Sequence, residues 1–76
     1  MKHIYVKFNQ SEEIVKFVRI MNRYEYEAYV KCGSRMVDAK SIVGVLALAK
    51  SKTVELILHT NDDCSELMEE LAPFAA

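Results

Sequence analysis

The chain has 76 residues, 51% of them apolar and 28% charged, with ten lysines and arginines against eleven aspartates and glutamates. So even a balance leaves no basic excess for a nucleic-acid backbone or an acidic membrane surface, and no apolar run approaches the ~18 residues of a membrane span. A chain this short buries only about 60% of its unfolded surface, so one thin-cored domain, 1–76, is expected.

Residues 3–8 alternate, with Ile4, Val6 and Phe8 on one face and His3, Tyr5 and Lys7 on the other, the period of a half-buried strand. A helix start follows. Asn9 with Glu12 three residues on has capping-box spacing, and Glu12 and Glu13 suit the positive end of a helix dipole. Ile14, Phe17, Val18 and Met21 then share one stripe, while Lys16, Arg19 and Arg23 fall elsewhere. Alternation returns over 24–31, with Tyr26, Ala28 and Val30 inward and Glu25, Glu27, Tyr29 and Lys31 outward. Gly33 suits a hairpin turn because it takes positive φ without a steric penalty, and 35–39 is the return strand.

Lys40-Ser41 opens the apolar run Ile42-Val43-Gly44-Val45-Leu46-Ala47-Leu48, which reads as a serine N-cap and two turns of helix. A polar loop over 49–52 leads to a strand at 54–59, in which Val54, Leu56 and Leu58 share a face and Ile57 breaks strict alternation. Residues 60–63 are dense in turn and cap signals. Cys64, Leu67, Met68 and Leu71 then repeat at i, i+3, i+4 and i+7, in a helix that should stop by Ala72, ahead of Pro73. There is no repeat, linker or low-complexity tract. The order β-α-β-β-α-β-α predicts an α+β open-faced sandwich, with helices covering one face of the sheet, and by pattern alone also admits a ferredoxin-like arrangement. A ligand-binding domain of that second kind would need convergent polar residues around a pocket, which the sequence does not display.

The N-terminus enters its first strand without the apolar stretch of an export signal. A cytoplasmic protein is therefore expected, with Cys32 and Cys64 as reduced thiols.

The run from Lys40 to Leu48 resembles the serine-containing segment of HPr, the histidine-containing phosphocarrier of the bacterial sugar phosphotransferase system. In length and pattern the likeness extends over 25–71. It implies an HPr-like fold, a four-stranded antiparallel sheet with three helices on one face and strands one and four as neighbours. It also implies a phosphoryl-carrying histidine in the loop before the first helix, followed closely by an arginine and a proline. The imidazole is the nucleophile, the helix N-terminus offers N–H groups, and the arginine neutralises the phosphate. Counting back from Ser41 without gaps puts Gln10 at the histidine position, Glu12 at the arginine and Glu13 at the proline, and 8–13 holds no histidine at all. A carboxamide forms no useful phosphoramidate, and two carboxylates repel the phosphate an arginine should attract. No catalytic residue, enzymatic activity or cofactor is therefore expected.

The resemblance directs attention to Ser41 instead. In HPr of many low-GC Gram-positive bacteria the serine at this place is phosphorylated by a dedicated kinase, and relatives that keep the serine without the histidine act only in regulation. A phosphate at an N-cap is favoured by the helix dipole and by the adjacent Lys40. The plain alternative is that Ser41 is only a cap, worth about 1 kcal/mol. Ile42 and Leu46 match the exposed apolar residues through which HPr docks its partners, against the alternative of packing beneath the first helix. The implied partners are proteins: phosphotransferase-system components, an HPr kinase or a transcriptional regulator. Oligomeric state is left open.

The two histidines, His3 and His59, fall in strands. Either could substitute as acceptor in a carrier relaying phosphoryl groups from phosphoenolpyruvate through Enzyme I, but without a helix N-terminus or an arginine beside it. If strands one and four pair, His3, His59 and Cys64 gather at one end of the sheet. They are zinc-type ligands, yet nothing has metal-ligand spacing, and no metal is expected. Tyr5 and Tyr29 read as cross-strand sheet stabilisers on the outward face. Asp62, Asp63, Glu66, Glu69 and Glu70 read as the solvated face of the last helix.

Overall fold

The computed structural model describes residues 1–50 and 53–76. Its elements are β1 (Lys2–Lys7), α1 (Ser11–Met21), β2 (Glu27–Cys32), β3 (Arg35–Asp38), α2 (Ile42–Ala49), β4 (Thr53–His59) and α3 (Ser65–Leu71), with a 3-10 turn at Ala72–Phe74. The order is the one the periodicity predicts. The strands form one antiparallel sheet, β1-β4-β2-β3, so that β1 and β4 are neighbours.

Strand β4 lies inside the sheet, flanked by β1 and β2, and this explains its imperfect alternation. Ile57 is on the outer face, opposite His3 of β1 and Tyr29 of β2, and is 7% exposed between those neighbours. The inner face presents Val6, Ala28, Val30, Val54, Leu56 and Leu58 to the helices. Onto it α1 lays Ile14, Phe17, Val18 and Met21, α2 lays Val45, Leu48 and Ala49, and α3 lays Leu67 and Leu71. Phe8, Phe17 and Phe74 form an aromatic cluster with ring centroids 5.0, 5.7 and 6.2 Å apart, tilted and edge-on as ring quadrupoles prefer.

The outer face of the sheet is uncovered and carries Tyr5, Tyr29 and Met36. Strand β1 forms one margin of the sheet, where Ala75 bridges Val6 and the Ala76 N–H donates to the Tyr5 carbonyl at 3.1 Å. The other margin, β3, is short and bears Arg35 and Asp38 at its ends. The β2–β3 hairpin turns at Gly33, whose φ of 62° lies in the left-handed region glycine tolerates.

Three local expectations shift. The residue preceding α1 is Gln10, not Asn9. Strand β2 begins at Glu27, and Tyr24 and Tyr26 belong to the connection before it, where their rings stack at 5.9 Å. Tyr24 is held there by its hydroxyl, which donates to the Glu70 carboxylate. In the polar loop expected at 49–52, Ala49 closes α2 and Lys50 bridges Phe8, while Ser51 and Lys52 lie outside the described residues. Among the described residues no helix is long and apolar enough to cross a membrane.

Candidate functional site

Ser41 is exposed at the start of α2 with extended backbone, φ −98° and ψ 110°. Its Oγ accepts from the Gly44 N–H at 3.3 Å and its carbonyl accepts from the Val45 N–H at 3.0 Å, the two bonds of an N-cap. The first turn of α2 contains no acidic residue. Gly44 is there because space is short: a Cβ at this position would lie 3.2 Å from the Val37 Cβ and 3.4 Å from the Ser41 Oγ. The absence of that side chain lets α2 approach β3 while leaving the serine oxygen open to its amide.

The turn before Ser41 is tied to the end of α1. The Asn22 side-chain amide donates to the Lys40 carbonyl at 3.1 Å and to the Val18 carbonyl at 2.8 Å. Lys40 does not face Ser41, as its place in sequence suggests. Its Nζ donates to the Tyr24 carbonyl at 2.6 Å, and its backbone N–H donates to the Asp38 carboxylate at 2.8 Å. Lys40 thus ties the turn before α2 to the connection between α1 and β2.

Ile42 and Leu46 are half-buried and pack against the core. The most exposed large apolar residue of α2 is Val43, at 74%. Sequence reasoning passed over it, although the helical period carries the signal: Val45, Leu48 and Ala49 define the buried face, and Val43 and Ala47 lie opposite.

The start of α1 has a different character. Gln10 is exposed and its side chain makes no capping hydrogen bond. Glu13 turns back so that its carboxylate accepts from the Asn9 N–H at 2.7 Å, and Glu12 adds a second carboxylate to the same turn. The donors that would greet an incoming anion are thus partly taken, and its charge would be opposed.

His3 and His59 share the outer sheet face, diagonal to one another across β1 and β4. His3 Nδ1 lies 2.5 Å from a Glu55 carboxylate oxygen, and the His59 ring meets the Tyr29 ring edge-on at 5.3 Å. Cys64 does not join them. It is 5% exposed and belongs to the core on the other side of the sheet, because it sits at the foot of α3 with φ 57°. Among the described residues no three His, Cys, Asp or Glu side chains converge as metal ligands.

Of the acidic residues expected on the solvated face of α3, Glu70 departs from that role. It accepts from both Tyr24 and Arg23. These bonds, the tyrosine's first, hold its carboxyl below the usual range, and the Tyr24 phenol is pushed up to about 12 chiefly by its bond to Glu70.

The four-stranded antiparallel open-faced sandwich has a serine-capped short helix tied by Asn22 to the end of a longer one. The family description "PTS HPr component phosphorylation site" matches residues 12–76, and the chain belongs to the HPr family of the phosphotransferase system. It is 36% identical over 67 residues to the HPr-like protein Crh of Halalkalibacterium halodurans, across 86% of this chain and 79% of that one. Its fold superposes on phosphocarrier protein HPr from Bacillus anthracis with a TM-score of 0.70 at 25% identity, covering 99% of this chain and 94% of the other. A structure of Crh from Bacillus subtilis, described as a dimer with a swapping domain, is similar with a TM-score of 0.64 and 32% identity over 88% of this chain and 78% of that one.

Proposed function

We propose that this protein is a regulatory, protein-binding member of the HPr family that has lost the histidine site and is switched by phosphorylation at Ser41. The observation that carries this reading is the start of α1, where Gln10, Glu12 and Glu13 stand in place of a nucleophile and its cation, and Glu13 already occupies the Asn9 amide. The likeness to proteins named HPr-like, as distinct from HPr itself, supports it. Ser41 has the features a modifiable cap needs: exposure, an acid-free first turn and free amides beside it. The partner surface is the exposed ridge of α2, led by Val43 with Ile42 and Leu46 at its sides, and Lys40 acts by fixing the turn. A phosphate on Ser41 changes the charge of that ridge by about two units. The partners are proteins of the phosphotransferase system, an HPr kinase or a transcriptional regulator, met in the cytoplasm.

Intact-mass analysis tests this. The protein is incubated with phosphoenolpyruvate and Enzyme I, and separately with ATP and an HPr kinase. The expected result is an acid-stable phosphate from ATP alone, absent in Ser41→Ala. An acid-labile phosphate from phosphoenolpyruvate, mapping to His3 or His59, would overturn the reading and restore a carrier. No phosphate from either source would reduce Ser41 to a structural cap.

A further inference from the structure

A cleft of 570 Å³ runs between α1 and the segment that closes α3. Its apolar lining is Ile20, Pro73 and Phe74, and its cationic lining is Lys16, Arg19 and Arg23. A spacing of three along α1 puts Lys16 and Arg19 on one edge of the helix, and Arg23 lies just past its end. The remaining polar lining is Glu13 and Glu70, and both are engaged, Glu13 with the Asn9 amide and Glu70 with Tyr24 and Arg23. Lys16 and Arg19 are exposed and take part in no ion pair among the described residues. No described residue of α2 lines the cleft, so it lies apart from the Ser41 ridge.

Its volume falls within the ~300–1,000 Å³ typical of small-molecule sites, and its lining sets three apolar residues beside five charged ones. Three cations against two carboxylates leave one net positive charge, the complement of a monoanion. We propose that this cleft binds a small organic monocarboxylate with an aromatic or short aliphatic body. The carboxylate is held by Lys16 and Arg19 through charge-assisted hydrogen bonds, and the body lies on Ile20, Pro73 and Phe74.

The test is an amide-resolved NMR titration of the full chain with 4-phenylbutyrate, alongside 4-phenylbutanol, inorganic phosphate and a short acidic peptide. Saturable shifts are expected in 16–23 and 72–74, with the α2 amides unmoved. Replacing both exposed cations (Lys16→Gln with Arg19→Gln), or the acid by the alcohol, should weaken binding at least about tenfold. Shifts that do not saturate by about 10 mM would overturn the proposal, as would equal binding by the double variant. Phosphate binding as well as phenylbutyrate would leave only a patch of charge. Saturation by the peptide alone would reassign the cleft to protein docking.

Discussion

Two helix starts in this molecule face the same problem and solve it oppositely. Each leaves backbone N–H groups without intrahelical partners. At α2 a neutral serine accepts one of them, the first turn is free of acids, and Gly44 keeps the approach open. At α1 the Gln10 side chain makes no cap bond, and Glu12 and Glu13 bring negative charge to the first turn, Glu13 accepting from the Asn9 N–H ahead of the helix. Both solutions stabilise a helix, but only the first leaves room for added negative charge. On the reading proposed above, the α2 start is the one suited to phosphate.

The most drastic way to break the contrast is to rebuild the α1 start. Gln10→His combined with Glu12→Arg is expected to take phosphoryl transfer from undetectable to measurable, read as acid-labile phosphate after incubation with phosphoenolpyruvate and Enzyme I. A folded double variant that gains none would mean that the deficit lies in docking and not in the helix start. Gly44→Val strikes the α2 start: its branched side chain meets Val37 and Ser41, and should lower the unfolding free energy by about 1–3 kcal/mol in urea. Smaller and more pointed is the pair of alanine substitutions at the caps. Ser41→Ala should cost about 1 kcal/mol, while Gln10→Ala, which removes no bond, should change stability by less than about 0.5 kcal/mol; equal losses would erase the distinction.

The smallest effect separates both helix starts from the Tyr24–Glu70–Arg23 group. Glu70 has its folded pKa lowered, so its contribution is present above the ordinary carboxylate pKa and fades as pH falls through the folded value. Tyr24 has its folded pKa raised to about 12, so its contribution is full below the ordinary phenol pKa and is lost as pH rises toward that value. Tyr24→Phe should therefore flatten both limbs of a stability-against-pH curve while leaving Ser41 phosphorylation unchanged.

Element order was legible because each element carries an unambiguous period: Ile4, Val6 and Phe8 at two, Ile14, Phe17, Val18 and Met21 at 3.6. The Ser41 cap was legible for the same reason, a lone hydroxyl before an uninterrupted apolar run. The start of α1 was not, because Asn9–Glu12 and Gln10–Glu13 have the same three-residue spacing, which leaves the choice between them open. Cys64 was read as one more apolar helical position, yet it occupies the turn ahead of α3 in a left-handed conformation no sequence rule assigns to cysteine. The Lys40–Tyr24 bond and the cleft beside Ile20 were out of reach altogether. They join residues far apart in sequence, a distance that periodicity does not span.

The contact of Ala75 and Ala76 with β1 has a bearing on how this chain behaves in company. A bare edge strand is a template on which another molecule can extend the sheet, and folded proteins guard against this by covering or shortening their edges. Here one margin is shortened, at β3, and the other is bridged by residues 75–76 at Tyr5 and Val6. Displacing 75–76 frees the Tyr5 carbonyl and the backbone at Val6, and exposes that part of β1 to strand addition.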